Sequence, residues 1–141
     1  MRVLVVDDQT FVAELVKLAL EADGHACYAA RSTGEAAEIV RAVRLDLVVL
    51  DLVSGGSDPI AWIEEVVLEL PQLHGRIVLL SATEPGESER LRMAGCGARV
   101  MAKPFTLHGL RRLVSEMWSA EPAGDAPRRP RPPESPLTED A

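Results

Sequence analysis

The sequence predicts an α/β fold, a five-stranded parallel sheet doubly wound with five helices and followed by a disordered tail. Two observations carry that expectation. Short apolar runs alternate with segments of helical period five times over residues 1–118, and such alternation builds a parallel sheet covered by helices on both faces. Several runs are continuously apolar rather than alternating, which suits strands buried on both sides.

The elements follow in order. Val3-Leu4-Val5-Val6 is the first strand and ends at Asp7 and Asp8. The helix after it is expected to bury Phe11, Val12, Leu15, Leu18, Ala19 and Ala22 and to stop at Gly24. Ala26 to Ala29 is a weaker second strand, and Ser32-Thr33-Gly34-Glu35 is a capping box that opens a second helix with Ala36, Ile39, Val40 and Val43 inward. Leu47-Val48-Val49-Leu50 forms the third strand, ending at Asp51. Asp58 then caps a third helix that starts at Pro59, runs to about Leu70 and is stopped by Pro71. Ile77-Val78-Leu79-Leu80 is the fourth strand and ends at Ser81, and a short polar helix from about Pro85 to Ala94 closes at Gly95. Arg99 to Ala102 is the fifth strand, ending at Lys103-Pro104-Phe105. Thr106 caps the last helix, which turns Leu107, Leu110, Leu113, Val114 and Met117 inward.

A chain of 141 residues suits one domain of ordinary size, and that domain is expected over residues 1–118. Residues 119–141 hold six of the ten prolines, no aromatic residue and Leu137 as their only large aliphatic side chain, so they cannot build a core. Their run Pro127-Arg128-Arg129-Pro130-Arg131-Pro132-Pro133 has the PxxP spacing that aromatic grooves dock, although a solvated tail is the expectation. With 15 Lys+Arg against 22 Asp+Glu and a net charge of −7, no basic stripe stands ready for phosphates, and direct nucleic-acid binding is not expected. No run approaches ~18 apolar residues and no basic leader precedes the first strand, so the expectation is a cytoplasmic protein without a membrane span. Cys27 and Cys96 show neither CxxC nor metal spacing and read as buried thiols of a reducing compartment.

The polar residues that interrupt the apolar runs share one position. Asp7, Asp8, Asp51, Ser81 and Lys103 all sit at carboxyl ends of strands, which border the crevice of an open parallel sheet where strand order reverses. Carboxylates gathered there repel one another unless a cation joins them, and oxygen ligands without His or Cys specify a hard divalent ion, Mg²⁺ above all. Lys103 adds a second positive charge. Such a site suits a dianionic phosphoryl group, with Ser81 as a neutral donor and Asp51 as the best-placed nucleophile for an acyl phosphate.

These motifs together, the Asp-Asp pair, Asp51-Leu52-Val53, Leu79-Leu80-Ser81-Ala82 and Lys103-Pro104-Phe105, resemble a bacterial two-component response-regulator receiver domain over residues 1 to about 118. The resemblance implies the flavodoxin-like strand order 2-1-3-4-5 and a phosphoacceptor signalling domain rather than an enzyme. Asp51 would accept phosphate from a histidine kinase or phosphotransfer protein. Asp7, Asp8, Asp51 and the backbone carbonyl of Val53 would hold Mg²⁺, Lys103 would bind the phosphoryl group, and Ser81 would shift inward to it. By the same analogy Gln9, Val12, Leu15, Pro104 and Phe105 would meet the kinase. The face made by helix four, strand five and helix five, around Arg111, Arg112 and Ser115, would meet a protein target or a second copy.

The chain departs from the family pattern at two places. Val100 stands where an aromatic switch residue is usual, three positions before the lysine, and Gly55, Asp58 and Pro59 replace the usual Pro and Asp-Gly after the acceptor. Two other functions compete. A receiver-like adaptor working without phosphorylation gains from Val100 and loses from the intact acids. A haloacid-dehalogenase-type phosphatase needs a second Asp two residues after the nucleophile, where Val53 stands. His25, His74 and His108 are isolated from the acids and read as structural, Cys96 between two glycines reads as a packing residue, and Trp62 and Trp118 read as packed against the domain. Thr83 and Ser54 read as loop residues without a site role.

Overall fold

The structure is a computed structural model that describes residues 1–52 and 58–119. The expected Val53 carbonyl ligand, Ser54, the Gly55-Gly56 pair and the tail from residue 120 lie outside the described residues. The elements are β1 (Arg2–Val6), α1 (Thr10–Ala22), β2 (Ala26–Ala30), α2 (Thr33–Ala42), β3 (Leu47–Asp51), α3 (Pro59–Glu69), β4 (Ile77–Ser81), α4 (Glu87–Gly95), β5 (Arg99–Ala102) and α5 (Leu107–Ser119), with a 3₁₀ turn at Pro71–Leu73. All five strands are parallel in the order β2-β1-β3-β4-β5. This is the predicted architecture.

Local chemistry sets the helix ends. The Ser32 hydroxyl accepts the Glu35 N–H at 3.1 Å, while the Glu35 carboxylate accepts the Arg31 N–H at 2.9 Å, one residue before the expected cap. Asp58 Oδ1 accepts the N–H groups of Ile60 and Ala61 at 3.1 Å each, and Thr106 Oγ1 accepts that of Gly109 at 2.9 Å. Gly24 turns the chain out of α1 at φ +93°, a conformation that side-chain-bearing residues rarely adopt. The helix expected from Pro85 begins two residues later at Glu87, because the Glu89 carboxylate takes the Gly86 N–H at 3.1 Å and fixes Gly86 as the cap.

The sheet divides two cores. Leu4, Val6, Val48, Leu50, Ile77 and Leu79 point to one face, under α2, α3 and the Met93 and Cys96 side chains of the α4 region. Val3, Val5, Leu47, Val49, Val78 and Leu80 point to the other, under α1 and α5. Neighbouring residues of a strand point to opposite faces, so the continuously apolar runs supply both cores. Every residue of β3 and β4 is buried. Trp62 packs on the first core and Trp118 on the second.

One expectation fails in α1. The residues it buries are Ala13, Val16 and Leu20, whereas Phe11, Leu15 and Leu18 are 74%, 37% and 61% exposed. The helix carries two apolar stripes about 160° apart at ~100° per residue, and helical period alone does not say which one faces the sheet. Among the described residues no helix is long and apolar enough to cross a membrane.

Candidate functional site

The carboxyl ends of β1, β3 and β5 bring four of the five described candidates together. Asp7 follows β1 and is fixed by its backbone, whose N–H donates to the Ala30 carbonyl at 3.0 Å, and by its side chain, whose Oδ1 accepts the Gln9 N–H at 2.9 Å. Asp51 is the last residue of β3, in the middle of the sheet. Both are 2% exposed, and Asp8 between them and solvent is exposed. Oxygen atoms of Asp7, Asp8 and Asp51 lie within 4.8 Å of one another. Lys103, just past β5, places Nζ 2.8 Å from Asp51 Oδ2, and its own N–H donates to the Ser81 carbonyl at 2.8 Å, which ties the fifth strand's end to the fourth's.

The charge balance of this pocket is unequal. Burial pushes the Asp7 carboxyl above the usual carboxylate range; the Gln9 amide opposes the push, the Asp51 charge adds to it, and the Lys103 ammonium opposes it. One ammonium serves two buried carboxylates, so a further cation would relieve the cluster. The donor set is all oxygen, open to solvent through Asp8, and fits a hard divalent ion of the Mg²⁺ type that keeps part of its water shell.

Ser81 is on the neighbouring strand with its hydroxyl engaged by Thr83. It is buried at the end of β4, one position past the Asp51–Leu80 pair of the β3–β4 register. Its hydroxyl donates to the Thr83 carbonyl at 2.6 Å and accepts the Thr83 N–H at 3.3 Å, so both bonds stay inside its own turn. Thr83, which carried no special signal in the sequence, is what holds it there. Val100 on β5 is 42% exposed.

The residues expected to meet partners differ in exposure. Arg111 is engaged by Asp23 just past the end of α1, with Nε and Nη2 at 3.0 and 2.6 Å, and its side chain stays 42% exposed. Arg112 and Ser115 are exposed. On the donor side Val12 is half-buried, and the exposed apolar row is Phe11, Leu15 and Leu18. A three-way ion pair of Arg92 with Glu64 and Asp58 also escaped the sequence reading, since its partners lie 28 and 34 residues away with no local signature.

His25, Cys27 and Cys96 stand outside the acid pocket. His25 sits at the opposite end of the sheet, just before β2. Burial lowers its pKa to about 4, and its Nδ1 lies 3.1 Å from the Met1 amino group. Cys27 and Cys96 are buried free thiols; burial raises the first to about 12 and also raises the second.

The family model "Response regulator receiver domain" matches residues 3–115. A response regulator from Thermotoga maritima is 29% identical, with a TM-score of 0.72 over 84% of this chain and 98% of that one. The non-phosphorylated HemR receiver domain from Leptospira biflexa is 30% identical, with a TM-score of 0.75 over 92% of this chain and 98% of that one. The chemotaxis protein CheY4 from Vibrio cholerae shares the fold at 21% identity and a TM-score of 0.72, over 82% of this chain and 97% of that one.

Proposed function

Because the chain belongs to the response regulator receiver domain family of two-component systems, we propose that it is a phosphoryl switch in which Asp51 takes a phosphoryl group from a histidine kinase or phosphotransfer protein and passes the signal on by protein contact. Receiver domains are signalling domains rather than classical enzymes, and they bind Mg²⁺ at an acidic pocket. The observation that carries the reading for this chain is the buried Asp51 carboxylate, 2.8 Å from Lys103 Nζ and grouped with the Asp7 and Asp8 oxygens within 4.8 Å.

The chemistry follows from what these side chains can do. An Asp51 oxygen attacks the phosphorus of a phosphohistidine; the P–O bond forms, the P–N bond breaks, and the imidazole leaves with the electron pair and takes up a proton. The product is an acyl phosphate. Asp7, Asp8, Asp51 and the Val53 carbonyl would hold Mg²⁺, which when bound offsets charge on the phosphoryl oxygens. Lys103 leaves its pair with Asp51 and turns its ammonium to a phosphoryl oxygen. The Ser81 hydroxyl exchanges its Thr83 acceptor for another. Burial of Asp51 limits the water that hydrolyses the product.

The donor has a landing strip. Phe11, Leu15 and Leu18 form an exposed apolar row on α1, which starts three residues after Asp7, and with Pro104 and Phe105 they suit an apolar helical face that brings its histidine over Asp51. A kinase donor places the domain in the cytoplasm, and the face of α4, β5 and α5 is the output surface toward a target or a second copy. The reading is tested by intact-mass spectrometry after incubation with acetyl phosphate or a phosphohistidine donor and Mg²⁺. A gain of one phosphoryl, about 80 Da by elementary mass, is expected in the wild type and is lost in Asp51→Ala and with chelator. No gain from either donor overturns the reading and leaves the unphosphorylated adaptor.

A further inference from the structure

Helices α3 and α4 do not close on each other. Between them runs a cleft of about 500 Å³ lined by Val67, Gly95 and Cys96, with Leu68 and Leu91 on its rims at 82% and 70% exposure. Arg92 crosses it to Glu64 at 2.8 Å, so those two charges answer each other. The next two acids of α3 are not answered. Pro59–Glu69 holds Glu64, Glu65 and Glu69 and no Lys or Arg, and Glu65 and Glu69 are exposed without an ion-pair partner among the described residues. They stand four residues apart on the side of the helix that carries Leu68, where like charges repel, and Glu69 lies at the negative end of the helix dipole. A cation seated between them relieves both penalties. The wider surface has the same sign, since residues 58–95 hold seven Asp and Glu against three Arg and no Lys.

An occupant of this cleft needs an apolar edge for the leucines and a cationic edge for the glutamates. Residues 127–133, Pro-Arg-Arg-Pro-Arg-Pro-Pro, have that pattern and contain no acid. In polyproline II, with three residues per turn, Pro127, Pro130 and Pro133 share one edge and Arg128 and Arg131 the next. The run is also tethered close by. Helix α5 ends at Ser119 at the amino end of the sheet, where Trp118 lines a cavity with Met1 and His25. The cleft opens at the same end, since the Gly75 N–H, just before β4, donates to the Cys96 carbonyl at 3.1 Å. Eight residues of extended chain reach about 27 Å, against about 20 Å between helix layers on the two faces of a sheet. So short a tether sets a roughly millimolar effective concentration, at which a weak and exposed contact forms.

We infer that the cleft between α3 and α4 is the docking site of this chain's own residues 127–133, with prolines against Leu68 and Leu91 and arginines at Glu65 and Glu69. While docked, the run masks this face from other proteins, and the face withholds the PxxP spacing from aromatic-lined grooves elsewhere. The inference does not draw on the chemistry at Asp51.

The test uses the full chain with two tails, the wild type and Arg128→Glu with Arg131→Glu, each on two forms of α3, the wild type and Glu65→Arg with Glu69→Arg. Amide hydrogen exchange is read in residues 64–69 and 91–96. On the wild-type helix the wild-type tail is expected to slow exchange there about threefold relative to the Glu tail, and on the reversed helix that preference is lost or inverted. The tail substitutions lie beyond α5, so the first comparison holds whatever the helix substitutions do to the fold. Equal exchange with both tails on the wild-type helix overturns the inference, and so does an effect of the same sign and size on both helices. Protection that fades on dilution assigns the cleft to the run of a second copy and overturns docking within one chain.

Discussion

At the scale of single residues, the pocket is built with negative charge in excess. Because the folded-state pKa of Asp7 is raised by burial and by Asp51, its ionised form costs stability at neutral pH, and that cost fades as pH falls through the raised value toward the ordinary carboxylate value and is gone below it. Asp7→Asn keeps an oxygen for the Gln9 N–H and removes the charge. It is expected to stabilise the metal-free protein by on the order of 1 kcal/mol in urea titrations with chelator and to abolish stabilisation by Mg²⁺. His25 has the opposite arrangement for a base. Its folded pKa is lowered from 6.5 to about 4, so the unfolded chain binds the proton more readily, and stability is full above pH 6.5 and falls as pH drops toward 4. In His25→Gln the melting temperature should lose less than the wild type over that window. A slope unchanged by the substitution would remove His25 as its source.

Helix α1 shows how burial and recognition divide one element. Leu20 is fully buried, and Leu20→Ala is expected to cost about 3 kcal/mol in equilibrium unfolding. Phe11→Ser and Leu18→Ser sit on the exposed row and should change stability by less than about 0.5 kcal/mol. Phosphotransfer from the cognate kinase should nonetheless fall severalfold in both, through weaker association, while labelling by acetyl phosphate stays at the wild-type rate. The same element marks where sequence reading loses its grip. Strands β3 and β4 were legible because burial on both faces leaves only apolar residues between two polar ends, and Asp51 and Ser81 stand at those ends for the same reason. The caps Ser32, Asp58 and Thr106 were legible because a cap acts within three residues. In α1 two apolar stripes compete, and only the close approach of Ala13 and Val16 to the sheet decides between them. The hold of Thr83 on Ser81 and of Asp23 on Arg111 depends on turn geometry and on helices far apart in sequence, to which no local pattern points.

For the molecule as a whole, metal binding and stability are one equilibrium. At about 100 times its dissociation constant Mg²⁺ should add ~2.7 kcal/mol to the unfolding free energy, measured by urea titration with and without chelator, and Asp51→Asn should lose most of that gain; equal gains in both proteins would place the ion elsewhere. The division of the interior by the sheet has a consequence of another kind. Side chains under α1 and α5 belong to one core and those under α2, α3 and α4 to the other, and substitutions at distant sites without shared partners add nearly independently. Substitutions on the exposed row of α1 are therefore expected to leave the α3–α4 surface across the sheet undisturbed, whereas a change at Asp23 reaches α5 through Arg111.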